Sequence, residues 1–244
     1  MRNTQTPQTP QTPSQETLQL TILMPCLNEE KTIGACIDEA AAYLSAAGCT
    51  GEILISDNGS SDRSASIARN HGACVITCPQ KGYGNALRYG LREAKGTFVI
   101  FGDCDLSYDF LHLEEMHRLL KDGCDLVIGD RFATPPVATA MPFSHRWGVP
   151  LLSFLGRMRY GCHVKDFHCG LRGCRKSSME RLDLKAPGME FATEIIAKAS
   201  AAGLKIGQTP IILHPDGREG KPHLRTFRDG FRHLKFMMRP LDKR

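Results

Sequence analysis

Nothing in this 244-residue chain reads as a membrane span: the longest apolar stretch, Val149 to Leu155, falls far short of the ~20 residues a bilayer crossing needs. No signal peptide is legible either, because the first 17 residues are polar and carry three Gln-Thr-Pro repeats. Such a segment buries too little apolar area to offset its ordering entropy, so Met1 to Thr17 is expected to be disordered. The ten cysteines contain no Cys-x-x-Cys pair, and Cys162, His163, His168, Cys169 and Cys174 match no usual zinc spacing. Several thiols (Cys26, Cys74, Cys124) lie inside apolar runs, which suits reduced, buried cysteines of a cytosolic compartment rather than a disulfide framework. Lys81-Gly82-Tyr83-Gly84 is glycine-rich but lacks the spacing of a P-loop, and is read mainly as a turn leading into a helix.

What is present is ordinary for a globular domain: 41% hydrophobic and 23% charged residues, with a mild net charge of +5. The length suits one large α/β domain with a full core. Strands are expected at Leu20 to Met24, Glu52 to Ser56, Ala73 to Cys78, Phe98 to Phe101, Asp125 to Ile128 and Ile206 to Leu213. The first five alternate with helical segments, which implies a mostly parallel sheet with helices on both faces. Asn28 is placed to cap the first helix, with Glu29 and Glu30 in its first turn and its end near Ala47. Phe110 to Lys121, Ser144 to Tyr160 and Gly188 to Ala202 read as further helices, with a loop opening at Pro135-Pro136. Residues 18–215 form the domain, and residues 216–244 a basic loop and an amphipathic helix.

The chain is organised around Phe98 to Asp109, F-V-I-F-G-D-C-D-L-S-Y-D. Four apolar residues match a strand buried on both faces, and Asp103 and Asp105 follow its end with only Cys104 between them. Two such carboxylates repel one another and resist desolvation. A hard cation such as Mg²⁺ or Mn²⁺ removes that conflict, and commonly keeps phosphate oxygens among its ligands. The carboxyl end of a strand is also where ligands of open α/β sheets bind.

Four polar turns fall at carboxyl ends of expected strands: Pro25-x-Leu27-Asn28-Glu29, Asp57-Asn58-Gly59-Ser60, Asp103-x-Asp105 and Gly129-Asp130-Arg131. Their order resembles family 2 glycosyltransferases of the GT-A fold. With Asp166-x-x-x-Gly170-x-Arg172 and Met189-Glu190-Phe191 added, the resemblance is closest to the dolichyl- and polyprenyl-phosphate sugar synthases and covers roughly Leu20 to Arg239. It implies that Pro25, Leu27, Glu29, Asp57 and Asn58 line the nucleotide end of a GDP- or UDP-hexose donor. Leu27 stands where the family commonly has an aromatic residue, and Asn58 where it commonly has a second Asp. Asp103 and Asp105 resemble the metal pair, with Cys104 as a small filler where Ala is usual. Arg131 would meet the diphosphate as a forked donor. Asp166, Arg172 and Glu190 would belong to the acceptor half of the site. His214 to Arg225 resembles the family's flexible phosphate-binding loop, with Arg218 and Lys221 at its two cationic positions.

The implied reaction is inverting, metal-dependent transfer of mannose or glucose to a polyprenyl phosphate. A phosphate acceptor is already ionised at neutral pH, so Glu190 would position rather than act as an essential base. Two alternatives stay open: a same-fold transferase acting on a carbohydrate or lipid hydroxyl, and a catalytically silent sugar-nucleotide module. No nucleic-acid partner is expected. Leu224, Phe227, Phe231, Leu234 and Met238 fall on one face of a helix, among Arg225, Arg228, Arg232, Lys235 and Arg239. That pattern suits a peripheral site at the cytoplasmic face of a membrane, and equally a last core helix packed on the domain.

Overall fold

The computed structural model describes residues 18–134, 143–217 and 226–239. The expected disorder of residues 1–17, the loop at Pro135-Pro136, and Arg218, Lys221, Leu224 and Arg225 lie outside the described residues.

Strand β1 (Leu20–Cys26) is buried along its length apart from Pro25, as an apolar run inside a parallel sheet must be. It pairs in parallel with β2 (Gly51–Asp57), Leu20 opposite Gly51 and Cys26 opposite Asp57. On its other side it pairs with β4 (Phe98–Phe101), Leu20 opposite Phe98 and Leu23 opposite Phe101. Together with β3 (Cys74–Thr77), β5 (Leu126–Asp130), β6 (Arg172–Arg175) and β7 (Ile206–Pro210), these make a seven-stranded sheet of order β3-β2-β1-β4-β6-β5-β7. The helices around it are α1 (Ile33–Ala46), α2 (Ser64–Asn70), α3 (Tyr83–Glu93), α4 (Glu114–Lys121), α5 (Phe143–Tyr160), α6 (Lys176–Glu180), α7 (Phe191–Ala201) and α8 (Thr226–Met237).

All six expected strands are present. The seventh, β6, is not among the expected strands, because Arg-Gly-Cys-Arg has neither an apolar run nor alternation. It runs antiparallel to both β4 and β5, so the sheet is parallel everywhere except at this strand. Arg172 and Gly173 are nonetheless buried there, the first by hydrogen bonds and the second by close packing. A Cβ on Gly173 would lie 2.9 Å from Leu120 Cδ1 and Met116 Cγ, so α4 packs directly against this strand.

Two expectations at helix starts are corrected. The chain after β1 turns before α1 begins at Ile33, and Thr32, not Asn28, precedes that helix. Asn28 adopts φ 58° and its Oδ1 accepts from the Ser61 amide at 2.8 Å, tying the first polar turn to the second. Likewise the segment from Phe110 is helical only from Glu114, because Asp109 closes a local turn by accepting from the Leu111 amide at 2.8 Å.

The amphipathic C-terminal helix exists, but its orientation reverses the core-helix alternative for the apolar stripe. α8 packs against α5 and α7, with His233 and Met237 buried and His233 hydrogen-bonded to Thr193 of α7. Phe231, Leu234 and Met238, from the stripe itself, face outward. They neighbour α5, where Trp147 (72% exposed), Leu151, Phe154 and Met158 also face outward. No helix among the described residues is long and apolar enough to cross a membrane.

Replacing Gly173 with valine forces β6 and α4 apart. Overpacking of this kind costs about 1–3 kcal/mol, so Gly173→Val is expected to lower the midpoint of urea unfolding correspondingly while wild-type slope is retained.

Candidate active site

The chain reverses direction across the sheet between β1 and β4. β2 and β3 continue on one side of β1, whereas β4 and everything after it lie on the other. This is a topological switch point, and the crevice outside its carboxyl ends is the expected ligand site. Four of the polar turns singled out in the sequence emerge from β1, β2, β4 and β5, whose carboxyl ends share one edge of the sheet.

The acidic side chains at that edge are stabilised by local N–H and O–H donors. Asp57 is 7% exposed and accepts from the amides of Gly59 and Ser60 at 3.3 and 3.2 Å. Asp105, equally buried, accepts from the Ser107 amide at 3.0 Å and from the Ser107 hydroxyl. Leu106 between them is held at φ 65°, an uncommon conformation for a residue with a Cβ. The Thr32 hydroxyl donates to the Cys104 carbonyl at 2.7 Å, fixing this acidic loop to the start of α1. Glu29 is buried beside it, with its own amide donating to Ser64 Oγ at 2.7 Å. Leu27 is exposed at the rim.

Asp103 has a partner that sequence reading missed. The Tyr83 phenol lies near it, and burial, with the Asp103 charge next, pushes that phenol well above its usual pKa, so Tyr83 stays protonated beside the carboxylate. The signal was available in part, since Tyr83 lies in the Lys81–Gly84 turn, which was assigned only a structural role. That turn does begin α3: Gly82 has φ 132°, and a Cβ there would lie 2.3 Å from the Pro187 carbonyl oxygen. Asn58 holds the turn in place, accepting from the Gly82 amide at 2.7 Å and donating to the Gln80 carbonyl at 2.9 Å. Its side chain therefore braces the loop under Tyr83.

On the far side of Asp103 lies Gly170, where a Cβ would sit 2.8 Å from Asp103 Oδ2. The missing methyl leaves that carboxylate room at the open face. Two carboxylates, hard oxygen donors two positions apart on one loop, fit Mg²⁺ or Mn²⁺. Among the described residues, no three His, Cys, Asp or Glu side chains gather into a metal-holding group, the Cys162 to Cys174 region included. Asp103 and Asp105 would therefore leave other positions of a cation to a ligand or water.

Asp166, Arg172 and Glu190 do not pair with one another; each has a separate partner. Arg131 grips Asp166 with both tines of its fork, Nε to Oδ2 at 2.6 Å and Nη2 to Oδ1 at 2.8 Å, and the side chains are 10% and 0% exposed. Burial works against the Arg131 charge, but the Asp166 carboxylate overrides it and holds the guanidinium firmly protonated. The fork expected to face a diphosphate is thus occupied within the protein. Arg172 is fully buried and donates to the carbonyls of Cys169, Phe167 and Ala192, each at 2.8 Å. It joins β6, the Asp166 loop and α7, an architectural role in place of the substrate contact implied by resemblance. Glu190, just before α7, pairs with Arg232 of α8 at 2.9 Å. Arg232 is consequently withdrawn from the outward cationic face.

The chain then crosses the acidic loop once more. His214 N donates to the Ser107 carbonyl at 2.9 Å and Gly217 N to the Asp105 carbonyl at 2.9 Å. The segment bearing Arg218 and Lys221 therefore departs from the Asp105 loop itself.

A mostly parallel sheet with an acidic cleft at its switch point defines a ligand-binding α/β domain, and comparison with known proteins gives its family. The Glycosyl transferase family 2 model matches residues 21–183. The low-salt glycan biosynthesis hexosyltransferase Agl6 of Haloferax volcanii is 38% identical over 221 residues, spanning 90% of this chain and 53% of that protein. This chain thus spans about half the length of that relative. The dolichyl-phosphate hexose transferase of the same organism is 28% identical over 211 residues, spanning 86% and 89%. Glucosyl-3-phosphoglycerate synthase from Mycobacterium tuberculosis superposes with a TM-score of 0.72 at 22% identity, over 91% of this chain and 79% of that one, a likeness of fold. The protein is a glycosyltransferase of the GT-A fold. It belongs to glycosyl transferase family 2.

The buried Arg131–Asp166 pair yields a direct test. Arg131→Met leaves Asp166 charged and uncompensated, and removing one partner of such a pair costs about 3–5 kcal/mol. Arg131→Met combined with Asp166→Leu is expected to recover most of that in urea titrations.

Proposed function

We propose that this chain is an inverting hexosyltransferase that moves mannose or glucose from GDP or UDP to a polyprenyl phosphate. The observation that carries the reading is the Asp103–Cys104–Asp105 loop: a pair of carboxylates at the switch point, held by Ser107 and Tyr83 and crossed by the segment that leads to Arg218. The named dolichyl-phosphate activity of one relative supports the acceptor. Structures of the mycobacterial synthase described as complexes with Mn²⁺ and UDP support a divalent cation and a nucleoside diphosphate.

Asp103 and Asp105 would hold that cation. When bound, it supplies positive charge for the developing diphosphate leaving group. The chain's own residues do the remaining work. Glu29 and Asp57 accept hydrogen bonds at the nucleoside end, beside Pro25 and Leu27. The Tyr83 phenol, kept protonated by burial, would donate to Asp103 and steady it. Arg131, anchored by Asp166, adds fixed positive charge, with any contact to a donor left to the N–H groups not engaged by Asp166. Glu190 and Arg232 fix α8 against the acceptor half. Arg218 and Lys221 would take the acceptor phosphate, whose ionised oxygen attacks the anomeric carbon without a general base.

A lipid acceptor requires the site to work at a membrane surface. The outward apolar side chains of α5 and α8 support that placement, as do the exposed cations Lys235 and Arg239 beside them. Each cation near an anionic surface contributes about 1 kcal/mol.

Radiolabelled UDP- and GDP-sugars offered with a short polyprenyl phosphate should give an organic-extractable product with one donor. Asp105→Asn should reduce its formation by at least a hundredfold without altering the unfolding midpoint. Near-wild-type turnover of that variant in Mn²⁺ would remove Asp105 from the metal pair, and label transferred only to a water-soluble hydroxyl would replace the acceptor.

The protein should also sediment with anionic vesicles at low salt and release at high salt. Trp147→Glu combined with Phe231→Glu should abolish sedimentation while leaving the far-UV spectrum unchanged. Undiminished sedimentation would move the contact elsewhere.

A further inference from the structure

Two thiols meet on the floor of this cleft. Cys26 ends β1, and Cys104 stands between the two acidic residues beyond β4. β1 and β4 pair in parallel as far as Leu23 opposite Phe101, and the Gly102 amide still donates to the Leu23 carbonyl at 3.3 Å, so the residues after β4 leave alongside the end of β1. A disulfide needs its two Cα atoms ~4.4–6.8 Å apart. Cys104 Sγ lies 3.3 Å from the carbonyl oxygen of Pro25, the residue immediately before Cys26. Both are buried and both are free.

The surroundings tie this pair to the site on both sides. Cys26 Sγ is 3.8 Å from Ser60 Oγ, in the turn whose amides hold Asp57. Cys104 carries its carbonyl on Thr32 and is flanked by Asp103 and Asp105, with Leu106 already in the left-handed region. A covalent S–S bond of ~2.05 Å is much shorter than contact between two free thiols. Forming it would draw Cys104 toward β1 and carry both carboxylates with it, in a loop with little conformational slack.

We propose that Cys26 and Cys104 form a reversible disulfide that closes the donor site under oxidising conditions. With hydrogen peroxide as the oxidant, Cys26 Sγ attacks one peroxide oxygen, the O–O bond breaks, and the departing hydroxide leaves as water with the thiol proton. Cys104 Sγ then attacks the Cys26 sulfenic sulfur, forming the S–S bond and releasing a second water with its own proton. Two thiols lose two protons and two electrons, and the peroxide becomes two waters. A dithiol reductant reverses the change. The bond itself depends only on the approach of Cys104 to the end of β1; its consequence for donor binding rests on the reading of Asp103 and Asp105 as the metal pair.

The test uses the full chain, fully reduced and then exposed to hydrogen peroxide, with residual thiols alkylated before digestion without reductant. Mass spectrometry should find the peptides containing Cys26 and Cys104 joined, two hydrogens lighter than the free pair. Over the same time course, Mn²⁺-dependent UDP affinity, measured by titration calorimetry, should fall at least tenfold and return with dithiothreitol. Cys104→Ser should show no joined peptide. After peroxide it should keep the UDP affinity of its own reduced form, whatever that affinity is. Joining of either cysteine to a different partner, or stable sulfinic acid at Cys26 without joining, overturns the pair. Joining with unchanged UDP affinity overturns the switch. Reduced wild-type protein that never binds UDP with Mn²⁺ overturns the donor-site reading instead, and leaves the peptide result to stand by itself.

Discussion

The structure depends on supplying hydrogen-bond donors to many carboxyl groups at one edge of a buried sheet. Glu29, Asp57, Asp105, Asp130 and Asp166 are all nearly inaccessible to water, and isolated burial of any one would be prohibitive. Each has donors close by in the chain or across a strand boundary. Asp57, Asp105 and Asp130 use amides or hydroxyls two or three residues onward. Asp166, the most deeply buried, has the Arg131 guanidinium instead. The polar turns therefore serve both as sockets for their own acids and as the lining of a cleft.

This economy also explains the positions of the arginines. A guanidinium is rigid, planar and permanently charged, so it can be buried where its donors meet fixed acceptors. Arg131 meets one carboxylate, and Arg172 meets the carbonyls of Phe167 and Cys169, in a segment without regular secondary structure to satisfy them, together with that of Ala192 in the first turn of α7. Arg232 couples the C-terminal helix to the residue that starts α7. Three residues that look alike as isolated basic positions thus do three different things. None is a free surface cation.

The C-terminal helix shows the division between periodicity and packing. Its apolar spacing correctly implies a helix with one apolar face, yet the face it turns inward carries His233 and Met237. His233 donates to or accepts from Thr193 at 2.9 Å and its ring meets that of His168 at a 4.4 Å centroid distance. Those contacts, with the Glu190 ion pair, outweigh burial of Phe231 and Met238. Phe231, Leu234 and Met238 are left exposed on a helix that packs against α5.

By itself the sequence determined the order of strands and helices, the acidic loop after β4, and the family. Apolar runs of strand length and local turn chemistry are encoded by neighbours a few residues apart, and six motifs in register specify a family even where each is weak. It did not determine β6, whose four residues become a strand only because β4 and β5 supply partners on both sides. Nor did it determine which polar side chain meets which. Asn58 and Arg172 carried site roles by resemblance, but their hydrogen bonds are made to backbone groups brought near by the tertiary fold. Tyr83 and Asp103 are separated by a helix and a strand and meet only because α3 begins beneath the switch point. Such pairings depend on register between distant segments, which the spacing of residues along one chain does not contain.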